Sequence, residues 1–284
     1  MDGGVYKGFR AAELEYQFNP RVSVPEFPQL AQRRSEKSRI IRHSVAHDLD
    51  VRYGDSPRQT LDVFPGFGGP VLIFIHGGYW RSGNKEDHCG FVPLFVERGA
   101  TVALVEYDLC PSVTIGEIVR QIRTAVAWVF RNVARYGADP GRLYVCGHSA
   151  GAHLGAMALA HDWAGEGLPA DVIKGAALTS GVYDLEVVMR ISVNDQVRLT
   201  PELAREFDPF RNPPRCGCPV LVAVGGDEPT GWRQMSLDYF EFCRNRGVAA
   251  EFLVVPGANH YTVSDRMADP EDPLARAVLR QMGL

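Results

Sequence analysis

The 284-residue sequence predicts an α/β fold: a mostly parallel central sheet of about eight strands, with helices on both faces and a small cap. Two observations carry this. Apolar runs of strand length recur along the chain and are continuous rather than alternating, as in strands covered on both faces. Between them lie segments whose apolar residues recur every three or four positions, which draws one stripe down a helix. Strands alternating with helices imply right-handed crossovers and parallel neighbours. A composition of 45% hydrophobic and 23% charged residues is that of a globular protein, not a disordered one, and the length suits one large domain.

Taken in order, residues 1–41 are polar, with prolines at 20, 25 and 28, and are expected to form an irregular arm or cap. The basic run Arg33, Arg34 and Lys37 reads as a solvated face. Strands are expected over about His43–Tyr53, Gln59–Phe64, Pro70–Ile75, Thr101–Val105, Leu143–Cys146, Gly175–Leu178, Val220–Val224 and Glu251–Val255. One helical stripe runs through Ile115, Ile118, Val119, Ile122, Val126, Val129 and Val133. It ends near Tyr136-Gly137, where glycine supplies a left-handed C′ residue. Further helices are expected at about Ala150–Ala160, Trp232–Asn245 and Pro273–Met282. The stretch Asp184–Pro214 breaks the rhythm and reads as a cap or lid inserted into a single domain spanning 1–284.

The charge balance excludes some partners. Thirty Lys and Arg against 34 Asp and Glu give a net charge of −4, which argues against nucleic acid. None of the six cysteines forms a CxxC pair, and no Cys/His cluster has zinc spacing, so neither metal nor cofactor is expected. Cys146 reads as core, and the proline-flanked Cys216 and Cys218 as structural. No apolar stretch approaches the ~18 residues of a membrane span, and the sequence begins without a signal-like apolar core. The expectation is a reduced cytoplasmic enzyme with no membrane span. The oligomeric state is left open, a homodimer included.

Open parallel sheets place ligands at the carboxyl ends of their strands, and three motifs fall there. Gly147-His148-Ser149-Ala150-Gly151 is a G-x-S-x-G sequence after a strand and before a helix, the context of a nucleophile elbow. Its turn aims the Ser149 hydroxyl out of the sheet beside a helix N-terminus. His76-Gly-Gly-Tyr-Trp80, directly after another strand, occupies the place of an oxyanion-stabilising turn, with Gly77 and Gly78 as backbone donors joined by Ala150. His76 itself reads as a brace for that loop. Pro256-Gly-Ala-Asn-His260 follows the last strand. Of the eight histidines, only His260 follows both the serine and a late acid, the chain order Ser, acid, His of this fold. His148 is then an elbow residue, and His153 a buried, hydrogen-bonded one. Asp227 and Glu228 both follow the penultimate strand, and spacing does not choose between them.

These residues resemble the kynurenine formamidase (arylformamidase) family of the α/β-hydrolase fold, near the hormone-sensitive-lipase-like esterases. The likeness runs from about Glu13 to Val263. It is carried by His76-Gly-Gly-Tyr-Trp80, Gly147-His-Ser-Ala-Gly-Ala-His153, Ser180-Gly-Val-Tyr-Asp-Leu185 and Glu15-Tyr-Gln-Phe-Asn-Pro20. The resemblance implies that Ser149 is the nucleophile, His260 the base and Glu228 the acid, with Asp227 as the alternative. Pro229-Thr-Gly-Trp232 departs from the S-x-E-F-like segment of the family, and Gly231 stands where its members commonly carry an acid. The implied reaction is hydrolysis of an aryl formamide, N-formyl-L-kynurenine, to the arylamine and formate through a formyl-enzyme. A formyl group has no side chain, so selectivity lies on the leaving side. There Tyr79, Trp80 and Tyr261 are the candidate substrate-binding residues, with Tyr16 a weaker one, and Trp80 reads equally as a core anchor. A carboxylesterase or amidase of the same fold is the nearest rival. A non-catalytic binding protein on a hydrolase fold is a remoter one.

Overall fold

A computed structural model describes residues 7–284, so the first six residues of the expected N-terminal arm lie outside the described residues. The arm contributes α1 (Ala11–Phe18), α2 (Pro20–Ser23) and α3 (Phe27–Ser44). Then follow β1 (Asp48–Arg52), β2 (Thr60–Phe64), β3 (Val71–Ile75), α4 (Val92–Glu97), β4 (Thr101–Val105), α5 (Ile115–Asn132), β5 (Leu143–His148), α6 (Ala150–Leu159) and β6 (Ile173–Thr179). The short helices α7 (Leu185–Val188), α8 (Asn194–Val197) and α9 (Pro201–Glu206) precede β7 (Val220–Gly225), α10 (Thr230–Asn245), β8 (Ala250–Val255) and α11 (Pro273–Met282).

The eight strands form one sheet in the order β1-β2-β4-β3-β5-β6-β7-β8. β1 and β2 are antiparallel to their neighbours, and the six from β4 to β8 are parallel. Alternate residues of each inner strand serve two cores. Val71, Ile73 and Ile75 of β3 join a core built with α5, α6 and α10. Leu72 and Phe74 face the other side, with Phe95 of α4 and Leu274 and Val278 of α11. Every residue of β2, β3, β4 and β7 is buried, which is why these strands read as unbroken apolar runs. From β3 the chain crosses to β4 on one side and later to β5 on the other. The carboxyl ends of β3 and β5 therefore flank the point where the winding reverses, the place where such sheets hold ligands.

The expectation of an irregular arm is corrected: most of it is helical. In α3 only Ser38 and Ile41 are buried along 18 residues, so it has almost no apolar stripe to betray it. The helix runs on to Ser44, with the Val45 amide closing on the Ile41 carbonyl, so β1 starts at Asp48 rather than at His43. An ion cluster pins this helix to the sheet. Arg42 pairs with the fully buried Asp62, and Lys85 reaches Asp62 at 3.1 Å and Asp50 at 2.6 Å. The stretch 184–214 carries α7, α8 and α9, and its Val187, Val188, Ile191, Val193, Val197 and Leu199 are buried in the same core as α5 and α6.

Candidate active site

Ser149 links β5 to α6 with φ 57° and ψ −119°, left-handed geometry in a residue that has a Cβ. Such a conformation costs on the order of 1–3 kcal/mol and persists only where its surroundings fix it. A Cβ on Gly151 would lie 2.0 Å from the carbonyl oxygen of Ile75, and one on Gly147 would lie 2.3 Å from that of Gly151. Both positions must therefore stay bare for β5 to turn so sharply beside β3. The Ser149 amide donates to the Thr179 carbonyl at 2.9 Å, tying the bend to β6.

The Ser149 Oγ lies 3.0 Å from Nε2 of His260, and Nδ1 of His260 lies 2.8 Å from Oε2 of Glu228. All three side chains are buried. The other carboxylate oxygen, Oε1, accepts from the Gly225 amide at 2.8 Å and from the Ser180 hydroxyl. Trp232 stands edge-on to the His260 ring at 4.3 Å and donates its indole N–H to the Ser180 carbonyl at 2.9 Å. His148 donates from Nε2 to the His260 carbonyl at 2.8 Å. Burial, then the nearby His260 and Arg34, push its pKa well below the ordinary histidine value, so it stays neutral. Sequence reasoning left the acid open. The structure brings Glu228 to the imidazole and leaves Asp227 exposed, with its amide on the Ala258 carbonyl. The alternative acid Asp227 is thus corrected: the turn after β7 points adjacent side chains in opposite directions.

The turn after β3 lies against the elbow. A Cβ on Gly77 would come within 2.9 Å of the Ser149 Cβ, and Gly78 has φ +115°. Ala150 is the first residue of α6, so its amide has no partner within the helix. The same turn holds Tyr79 and Trp80 at positive φ, 51° and 55°. His76 braces it from beneath. Its Nε2 is 3.1 Å from Glu106 Oε1, and its ring stacks on Tyr107 at 4.2 Å. Burial opposes ionisation of Glu106, but the hydrogen bond and charge of His76, helped by Arg58 and the Lys85 amide, outweigh it and bring its pKa down to about 2. His153 is buried and bonded through Nε2 to the Phe207 carbonyl at 2.8 Å.

A cavity of about 240 Å³ opens over Ser149 and His260. Gly77, Gly78, Tyr79 and Tyr261 line it, and so do Asn19, Arg21, Phe27 and Arg34 of the N-terminal arm. The Phe27 and Tyr261 rings meet at 4.4 Å on one wall. The Tyr79 hydroxyl donates to the Phe18 carbonyl, fastening α1 over the turn. Two expected substrate contacts are corrected. Trp80 is fully buried and packs edge-on against His153 at 5.0 Å, so it anchors the turn and does not line the cavity. Tyr16 is 53% exposed on the outer face of α1, away from the cavity. The departure at Gly231 has a steric cause. A Cβ there would lie 2.7 Å from the Phe18 ring, and the Gly231 amide is held by Gln17, so α1 occupies the space. Sequence reasoning missed Ser180, Trp232, Phe27 and the arginines of the cavity. Ser180 opens a segment of the family likeness, which was its one signal.

Comparison with known proteins adds the following. A family model named BD-FAE matches residues 67–166. The kynurenine formamidases of Salmo salar and Danio rerio are each 32% identical to this chain, over 98% of both chains. The esterase LipQ of Mycobacterium tuberculosis is 34% identical over 77% of this chain and 58% of its own. Among solved structures, a Silicibacter protein provisionally assigned as a thioesterase superposes with a TM-score of 0.82 at 26% identity, covering 96% of this chain and 99% of its own. The carboxylesterase EstE1, from a metagenomic library, superposes with a TM-score of 0.67 at 21% identity, covering 89% and 93%, a likeness of fold alone.

Proposed function

Because the chain belongs to the kynurenine formamidase family of the α/β-hydrolase fold, we propose that it hydrolyses aryl formamides, with N-formyl-L-kynurenine as substrate and L-kynurenine and formate as products. The observation that carries this reading is the relay from Ser149 Oγ through His260 to Glu228, at 3.0 and 2.8 Å, opening into a small cavity with an aromatic wall.

In this reading the Ser149 oxygen attacks the formyl carbon while its proton passes to Nε2 of His260. The Gly77, Gly78 and Ala150 amides hold the oxyanion, each donor being worth about 3–4 kcal/mol of barrier in comparable sites. Glu228 keeps the Nδ1 proton in place and balances the charge on the imidazolium. Collapse breaks the C–N bond as His260 hands its proton to the aryl nitrogen, a weak base and hence a ready leaving group. Water, deprotonated by His260, then attacks the formyl ester and releases formate and Ser149. A formyl group has no side chain, so the reaction needs no acyl pocket beside Ser149. A cytoplasmic location belongs to the same proposal, supported by six free cysteines. No helix among the described residues is long and apolar enough to cross a membrane.

Comparing kcat/KM on N-formyl-L-kynurenine with that on p-nitrophenyl acetate tests the reading. The formamide is expected to be the better substrate, and Ser149→Ala to reduce both rates on the order of a millionfold. A preference for the ester by several decades would move the chain to the carboxylesterase reading that its likeness to LipQ supports.

A further inference from the structure

The cavity carries more positive charge than its walls neutralise. Arg21, Arg34 and Arg81 line it, against Asp87 as the lining carboxylate. Arg34 is engaged: it pairs with Asp265 at 3.0 Å and donates to the Tyr261 carbonyl. The other two have no ion-pair partner among the described residues. Arg81 is half-buried and belongs to the turn that carries Gly77 and Gly78. Its Nη1 donates to Gln196 of the 184–214 stretch, which fixes its direction and leaves its other guanidinium N–H groups without an acceptor among the described residues. Arg21 reaches the same turn at the mouth of the cavity, with Nη2 3.4 Å from Ser82 Oγ and its guanidinium 5.5 Å from the Phe27 ring centroid. Two like charges thus converge on one short turn, beside the aromatic wall of Phe27 and Tyr261. Burial, then the charge of Arg21, hold the Arg81 guanidinium below its ordinary pKa. An anion between the two would relieve the repulsion and meet unused donors.

We propose that Arg81, backed by Arg21, binds a carboxylate on the leaving-amine side of the substrate, so that the site selects aryl formamides that carry a carboxylate over those that lack one. The assignment rests on the formamidase reading of the site. The reacting carbonyl sits at Ser149, the aryl ring passes along Phe27, Tyr79 and Tyr261, and the carboxylate reaches the arginines. Arg81 and Arg21 act as specificity residues and take no part in proton transfer.

The test compares N-formyl-L-kynurenine with its α-carboxamide, which differs only in lacking the negative charge. The wild-type protein is expected to favour the carboxylate at least tenfold in kcat/KM. Arg81→Gln loses about 10–100-fold on the carboxylate, chiefly through KM, and at least tenfold less on the carboxamide. Arg81→Lys recovers part of the loss, and Arg21→Gln shows the same bias more weakly because Arg21 is exposed. Equal losses on both substrates, or a wild type indifferent to the charge, would overturn the proposal. Calorimetric titration of L-kynurenine and its carboxamide into Ser149→Ala, with and without Arg81→Gln, separates the two readings. Preferential, Arg81-dependent binding of the carboxylate without formamide turnover would sink the formamidase reading and leave the arginine site standing. Turnover without that binding preference would do the reverse.

Discussion

Replacing Glu228 by Gln changes one atom and should cost most of the activity, for a reason fixed by its neighbours. Oε1 faces two donors, the Gly225 amide at 2.8 Å and the Ser180 hydroxyl. The hydroxyl can turn, but the backbone amide cannot become an acceptor. A glutamine must therefore keep its carbonyl oxygen at the Oε1 position and present its NH₂ to Nδ1 of His260, where Oε2 now lies 2.8 Å away. Nδ1 is then forced to accept, the ring proton moves to Nε2, and Nε2 can no longer take the proton of Ser149. The imidazolium of the transition state also loses its counter-charge. The analogous Asp→Asn change in the serine protease triad drops kcat by about 10⁴, and a loss of that order is expected here. Steady-state kinetics on N-formyl-L-kynurenine at neutral pH measures it. The exposed Asp227, changed to Asn, should alter kcat less than about twofold. A loss below tenfold for Glu228→Gln, or a larger one for Asp227→Asn, would refute the reasoning.

Three further outcomes concern stability. Gly151→Ala places a Cβ 2.0 Å from the Ile75 carbonyl oxygen, a backbone atom that cannot swing aside, and should cost about 3 kcal/mol or more in urea unfolding. Trp80→Ala removes a fully buried anchor and should cost about 3–5 kcal/mol by the same measurement, which a surface residue of the cavity would not. Glu106 falls from 4.5 to about 2 on folding, so its carboxylate contributes fully above about pH 4.5 and loses that contribution as pH falls toward 2. Glu106→Gln should therefore destabilise by about 3 kcal/mol at neutral pH, with the gap to wild type closing between pH 4.5 and 2 in denaturant titrations.

What the sequence disclosed follows from where the physics is local. β3, β4 and β7 are buried on both faces, so Val71–Ile75, Thr101–Val105 and Val220–Gly225 stand out as uninterrupted apolar runs. The α5 stripe is legible because one face meets the sheet and the other meets water. The elbow is legible because its strain demands small residues at fixed offsets from Ser149. The arm was not, since α3 is pinned by Arg42, Asp62 and Lys85, residues 20 or more apart in the chain whose pairing no local period records. The choice between Asp227 and Glu228 depended on which way a turn points, and Ser180 joins the site only because β6 lies beside β7. Arg21 and Arg81 come together through the docking of α1 and α2 over the β3 turn, a tertiary event between polar segments.

Labelling with an organophosphate, followed by peptide mapping and residual-activity measurement, tests the core assignment most directly. One adduct per chain on Ser149, with N-formyl-L-kynurenine hydrolysis falling in proportion to labelling, is the expected result. An adduct on another residue, or a fully modified protein that still releases formate at the unmodified rate, would contradict it.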